Sequence, residues 1–216
     1  TLIAKELTRP VTRVMWPAGS DFMAIRKIRI WPDPALSEVA APIESVDDDV
    51  RTLVADMFET MYEANGVGLA ATQLAVPLRL LIIDLDPTSE APDNEEVAED
   101  LEAWSFKGAQ EFINPEIIEQ EGSVIWDEGC LSVPGYTDKV ERSEQITVKA
   151  LNRQGEEFTL TCSGLYAVAI QHEMDHLEGK VFVDYLSRLK RDVVKRKMNR
   201  LKSSGIDDGV EAAANL

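Results

Sequence analysis

Only two histidines occur in the 216-residue chain, and they stand four positions apart, as His172 and His176, with Glu173 directly after the first. On a helix this spacing puts both imidazoles on one face, with Cβ atoms about 5–6 Å apart. They can then share one metal ion while Glu173 turns toward a bound water. Two histidines dropped at random on a chain of this length would fall four apart about once in a hundred arrangements, and an adjacent glutamate lowers that roughly tenfold. The pattern therefore predicts metal-assisted hydrolysis rather than two solvent-facing histidines on an amphipathic helix.

A catalytic site of this type takes three protein ligands and keeps a further position open for water. Glu178 follows too closely on the same helix to reach round the ion easily. Cys130 is the better third ligand, in the run Trp126-Asp127-Glu128-Gly129-Cys130-Leu131-Ser132-Val133-Pro134-Gly135, where Pro134-Gly135 turns the chain away. A thiolate bound to a divalent ion is deprotonated outright and adds charge to the bond. Taken alone, Cys130 would sooner read as a small buried hydrophobe, and only the histidine pair reverses that; for Cys162 the hydrophobe is the reading adopted. With only these two cysteines there is no disulfide framework, and a reducing compartment is expected.

The stretch Gly66-Val67-Gly68-Leu69-Ala70-Ala71-Thr72-Gln73 has too few glycines, wrongly spaced, to cradle a phosphate. Gly66 and Gly68 can bring bare backbone to a peptide, and Gln73 offers an amide donor for a developing oxyanion. A helix C-cap followed by a packed, alanine-rich turn fits the same residues equally well.

The elements that must position these groups are legible from periodicity. Residues 47–64 read as a helix, with acids at its start, Val50, Leu53, Val54, Met57, Phe58 and Met61 at helical spacing, and Asn65-Gly66 ending it. Residues 163–177 form the histidine-bearing helix, and 188–202 a second, basic one. Residues 25–31 read as a strand or extended piece. Strands are expected over 78–85, 111–113, 117–118, 122–126, 145–151 and 157–161, with residues 152–155 as a hairpin turn. Helices mixed with antiparallel strands predict an α+β class: strands packed around a central helix carrying His-Glu-x-x-His, with a C-terminal helix.

Size and composition fit one domain with a sizeable core. No apolar run approaches the roughly 20 residues of a membrane-spanning helix, so no membrane association is expected. The net charge of -17 argues against broad or sequence-specific nucleic-acid binding. Residues 84–102 hold nine acids and no base, an insert (84–103) expected to be a solvated loop. The tail reverses this sign: Arg188, Lys190, Arg191, Lys195, Arg196, Lys197, Arg200 and Lys202 are opposed only by Asp192. Residues 1–22 share the threonines, arginines and scarcity of acids of an organelle transit peptide, which leaves organelle targeting open. The plainer reading makes Met23-Ala24-Ile25 the natural start and residues 1–22 an N-terminal extension. The chain is thus divided into 1–22, a catalytic unit 23–189 and a basic helix with its tail, 190–216.

Taken together, the Gly66–Gln73 run, Glu128-Gly129-Cys130-Leu131-Ser132 and Gln171-His172-Glu173-Met174-Asp175-His176 resemble, in this order, the three signature motifs of peptide deformylases. The likeness runs from about Arg26 to Leu189 and is greatest to the bacterial enzymes with a helical C-terminus. It implies a cytoplasmic bacterial enzyme that removes the N-formyl group from the N-terminal methionine of nascent proteins and releases formate. It implies that Cys130, His172 and His176 bind ferrous iron, whereas the donor set alone suits zinc at least as well and the affinity order favours zinc; nickel is a further alternative. Glu173 would take the proton of the attacking water, and Gln73 with the Leu131 backbone N–H would meet the oxyanion. The resemblance further places Val67, Trp126, Leu165, Val168 and Ala169 around the methionine side chain, and Glu128 and Gly68 against the peptide backbone. Thr137 stands where many relatives carry a base, and Arg142, at a second basic position, reads as structural. The basic helix resembles the segment with which family members dock at the ribosome exit.

Two rivals remain on the sequence alone. A general zinc peptidase using the same helix would cleave internal amides of formyl-free peptides. An idle, ribosome-associated protein with a structural metal is disfavoured by the presence of both Glu173 and Gln73.

Overall fold

The computed structural model describes residues 24–85 and 109–214. The expected extension over residues 1–22, and all but the first two residues of the acidic insert, lie outside the described residues. The described elements are α1 (Asp48–Glu63), β1 (Gly68–Ala70), β2 (Leu80–Ile83), β3 (Gln110–Glu121), β4 (Val124–Gly129), β5 (Thr137–Arg142), β6 (Gln145–Leu151), β7 (Glu157–Ser163), α2 (Gly164–Leu177), α3 (Arg188–Ser203) and α4 (Gly209–Ala214), with short 3-10 turns between some of them. Five strands make one sheet in the order β1-β2-β3-β6-β7, every neighbour antiparallel, and β4 and β5 form a separate hairpin. The class is α+β, as expected. Among the described residues no helix is long and apolar enough to cross a membrane.

Strand β2 shows why the sheet forms. All four of its side chains are fully buried, and they alternate: Leu80 and Ile82 pack with Leu53, Val54, Met57 and Phe58 of α1, whereas Leu81 and Ile83 pack with Tyr166, Ala167 and Ile170 of α2. The period-2 side-chain alternation of a strand thus feeds two helix layers at once, which is why the sequence there reads as an unbroken apolar run. Burial of each such side chain is worth roughly 1.5–3 kcal/mol relative to exposure.

Several expectations needed adjustment. Residues 111–118 do not form two strands but one long β3, broken in register between Ile113 and Glu116 and again between Ile117 and Glu119. Asn114 sits there at φ 52, its side chain clasping both the N–H and the C=O of Ile43 at 2.8 Å, so Asn-Pro makes an irregularity inside a strand rather than a turn. Residues 68–70, read as loop, pair with β2 as a short edge strand. Strand β5 has only Val140 and Arg142 buried, so no apolar alternation announces it.

The chain beyond residue 189 is not separate in packing. Val194 and Met198 of α3 and Ala212 of α4 share an apolar cluster with Ile30, Leu36, Val133, Phe182 and Leu186.

Candidate metal centre

Helix α2 is buried on nearly all sides. At about 100° per residue, Tyr166, Ala167, Ile170 and Leu177 face the sheet, which leaves Leu165, Val168, His172 and His176 together on the opposite face, with Ala169 at the border between the two. That face looks at the end of the β4–β5 hairpin. Cys130 follows directly on β4, in a turn closed by Val133 N–H donating to its carbonyl at 2.9 Å. Its Sγ lies 3.2 Å from Nε2 of His176, and one donor atom from each of Cys130, His172 and His176 falls within 4.8 Å of the others. The two imidazoles stand edge to face, 5.2 Å apart.

These donors fit a divalent ion. Metal bonds of about 2.0–2.3 Å to nitrogen and sulfur span separations of this size. Nδ1 of His172 is 2.8 Å from Glu128 Oε2, so the ring donates there and turns Nε2 to the site. Burial pushes the His172 imidazole down, but the Cys130 sulfur and the Glu128 carboxylate outweigh it and hold the ring well above its ordinary value. His176, buried beside His172 without a carboxylate of its own, is held well below.

Glu128 is itself anchored. Its carboxylate accepts from Arg142 Nε at 2.6 Å and Nη2 at 2.9 Å, and these partners with His172 overcome burial to bring it down to about 2. Arg142 also donates through Nη1 to Asp175 at 2.6 Å, and Asp175 accepts from the Tyr185 hydroxyl at 2.9 Å. A chain of partners thus runs from His172 to the surface. Of it, Arg142 was read only as structural, and the roles of Asp175 and Tyr185 were missed.

Glu173 is fully enclosed. Burial, with the Glu128 charge adding to it and the His172 charge opposing, raises its carboxyl to about 7, and Oε2 has no hydrogen-bond partner. Gly68 leaves room for it: a Cβ there would lie 2.6 Å from Glu173 Oε1. Gln73 is buried and oriented by Ala70 N–H, which donates to its Oε1 at 2.8 Å; its Nε2 points to Ser132 Oγ at 3.1 Å and to Cys130 Sγ at 3.6 Å.

A cavity of about 520 Å³ opens beside these groups; Gln73 and His176 lie behind its wall and do not line it. Val67, Gly68, Glu128, Cys130, Leu131, Leu165, Val168, Ala169, His172, Glu173 and Thr137 all line it. Trp126 does not: it is half-buried on β4, two residues or about 7 Å up the strand from Glu128. The Glu128 carboxylate is committed to Arg142 and His172, which leaves its main chain for any contact with a peptide. Gly209 and Ala213, from the far C-terminal segment, line the cavity too and were not foreseen.

The family model for polypeptide deformylase matches residues 25–192. The chain is 48% identical over 186 residues to a peptide deformylase of Alkalilimnicola ehrlichii, covering 85% of this chain and 94% of that protein. It is 50% identical over 181 residues to peptide deformylase 1 of Burkholderia multivorans, covering 83% and 91%. Among solved structures, a peptide deformylase from Legionella pneumophila superposes with a TM-score of 0.74 at 45% identity, covering 84% of this chain and 98% of that one. One from Ehrlichia chaffeensis in complex with actinonin gives 0.73 at 40%, covering 82% and 98%. With a sulfur and two imidazoles converging in the cavity and likeness along most of its length, the chain belongs to the peptide deformylases, metal-dependent hydrolases that remove the N-formyl group from the N-terminal methionine of nascent proteins.

Proposed function

We propose that Cys130, His172 and His176 hold ferrous iron, that Glu173 is the proton carrier, and that the Gln73 amide and the Leu131 N–H receive the oxyanion during deformylation. The observation that carries this reading is the unpartnered, buried Glu173 Oε2 beside the three ligands. When bound, the cation acidifies a water and polarises the formyl carbonyl. Glu173 takes a proton from the attacking water and delivers it to the departing amine. Gln73 Nε2, already oriented by Ala70, meets the formyl oxygen as it gains charge, together with the main chain of Leu131. The C–N bond breaks, and formate and a free N-terminal amine leave. Val67, Leu165, Val168 and Ala169 supply the apolar slot for methionine, with Gly68 and the Glu128 main chain along the peptide.

The test is formate release from formyl-Met-Ala-Ser by protein prepared without oxygen, with metal analysis alongside. Glu173→Ala is expected to keep the metal and lose turnover by orders of magnitude; retained turnover removes it from this role. Activity that tracks iron content and decays in air supports ferrous iron, while full zinc occupancy with air-stable turnover overturns that choice.

The basic helix α3 is proposed to dock on the ribosome. Lys195, Arg196 and Arg200 are exposed, whereas Lys190 and Lys197 bond to Asp138 and to the Gly135 carbonyl of the same chain. Charge reversal of the exposed three should abolish ribosome co-sedimentation, and unchanged co-sedimentation rejects docking. We propose formyl-methionyl nascent chains as the enzyme's substrates and the bacterial cytoplasm as its compartment. Residues 23–189 are read as its catalytic unit, 84–103 as an insert and 1–22 as an extension.

A further inference from the structure

The segment after α3 turns back across the molecule and reaches the cavity. Asp207 pairs with Lys27 at 2.6 Å, Asp208 Oδ1 accepts from Ile28 N–H at 3.0 Å, and Gly209 N–H donates to the Ile28 carbonyl at 2.9 Å. Both main-chain polar groups of Ile28 are therefore held by two consecutive tail residues. The same extended piece continues into the site. Arg29 N–H donates to the Gln73 carbonyl at 2.7 Å, and Trp31 N–H to the Ser132 carbonyl at 2.9 Å. On its other side Gly209 presses on Leu131: a Cβ at Gly209 would lie 2.6 Å from the Leu131 carbonyl oxygen and 2.8 Å from Ile28 Cγ2. Contacts this short are not tolerated by real Cβ atoms, so only glycine fits between the two segments. Val210 and Ala213 pack with Leu131 in one apolar cluster, and Gly209 and Ala213 line the cavity itself.

We propose that Gly209 is a positioning residue for deformylation, wedging the main chain of Leu131 directly and that of Gln73 through the Ile28–Arg29 backbone. The inference rests on the reading of Leu131 and Gln73 as oxyanion donors. Such donors act only when held within a few tenths of an ångström of where charge develops, and loss of one costs about 10²–10³ in turnover, so a displaced donor should cost about tenfold.

The experiment uses the metal-loaded enzyme with formyl-Met-Ala-Ser. Gly209→Ala forces the Leu131 carbonyl or Ile28 to shift, and a chain ending at Ser204 removes the wedge without introducing a clash. Both are expected to lower kcat about tenfold with KM within about twofold of wild type and an unchanged metal content per folded chain. Unchanged kcat in both overturns the proposal. A loss confined to KM, or matched by loss of metal, also overturns it, because the segment would then be a cavity wall or a support for the ligands. Gln73→Ala separates the two levels of argument. If it lowers kcat while the Gly209 and truncated variants do not, only the wedge is wrong; if it too leaves kcat unchanged, the assignment of oxyanion donors has failed.

Discussion

The two sheets among the described residues hold together by opposite means. The five-stranded sheet is fixed by apolar side chains: β2 alone sends Leu80 and Ile82 to one helix layer and Leu81 and Ile83 to the other, all fully buried. The β4–β5 hairpin buries little that is apolar. Its hold on α2 is two polar links, Glu128 to His172 and Arg142 to Asp175, tied to each other within the hairpin by the bidentate Arg142–Glu128 pair. Apolar packing is tolerant of direction, whereas a bidentate ion pair fixes two rigid groups in one geometry. The sheet therefore sets where the catalytic helix lies, and the hairpin sets how the ligand on it is aimed.

Breaking each region separately should give different signatures. Arg142→Leu leaves the Glu128 carboxylate buried without its guanidinium, a loss of about 3–5 kcal/mol, and frees His172 to rotate, which should weaken metal binding by about 10–100-fold. Urea unfolding of the metal-free protein and a competitive chelator titration measure the two effects; intact metal affinity would show that the hairpin does not aim the ligand. Ile82→Ala opens a cavity between β2 and α1, at a cost of about 2–5 kcal/mol. Here metal affinity and kcat per folded molecule should stay at wild-type values, and a tenfold change in either would mean that the two regions are coupled.

The sequence made the two regions unequally legible. Helix α1 could be read to within a residue, because Asp47 caps it by accepting from Val50 N–H at 3.0 Å and its apolar residues repeat at helical spacing. Strands β6 and β7 and the turn between them announced themselves in the same way. The ligands were legible for another reason: two lone histidines four apart and a cysteine in a turn are uncommon enough to mean something without any structure. The connecting layer was not legible. Strand β5, Thr-Asp-Lys-Val-Glu-Arg, carries no apolar alternation, so nothing local shows that Arg142 faces inward. Partnership between Glu128 and Arg142 is a cross-strand relation that exists only once the hairpin has closed. Gly209 was hidden for the same reason, since its role depends on Leu131 and Ile28, residues far away in sequence.

Acid should distinguish the regions as well. Both hold a carboxyl below its ordinary value against the opposing effect of burial: Glu128 at about 2 through Arg142 and His172, and Glu111, on the central strand of the larger sheet, through Arg153 of the β6–β7 turn. A carboxyl depressed on folding stabilises the native state fully above its unfolded value of 4.5, and that contribution is lost as pH falls from there toward 2. Metal-free protein should lose on the order of 2–3 kcal/mol of Glu128-linked stability over that interval, because each tenfold change in proton affinity is worth about 1.4 kcal/mol. In Arg142→Leu the acid-linked loss should shrink, because the main partner that lowers Glu128 is gone. An unaltered pH slope in that variant would assign the depression to His172 instead.

The smallest effect is expected where the hairpin meets the C-terminal helix. Lys190 reaches Asp138 on β5 at 2.7 Å, with more than half of the lysine side chain exposed. Exposed pairs of this kind are worth about 0.2–1 kcal/mol and weaken with salt. Lys190→Ala should therefore lower stability by no more than about 1 kcal/mol, and the difference from wild type should fade as salt is raised. Asp138 lies only four residues before Arg142 on the same strand, so the variant also asks whether hairpin geometry depends on its outer edge. If the links from Glu128 to His172 and from Arg142 to Asp175 alone fix the hairpin against α2, metal affinity will not change. A drop approaching that of Arg142→Leu would instead make α3 a third support of the ligand set and extend the aiming device from the hairpin to the basic helix.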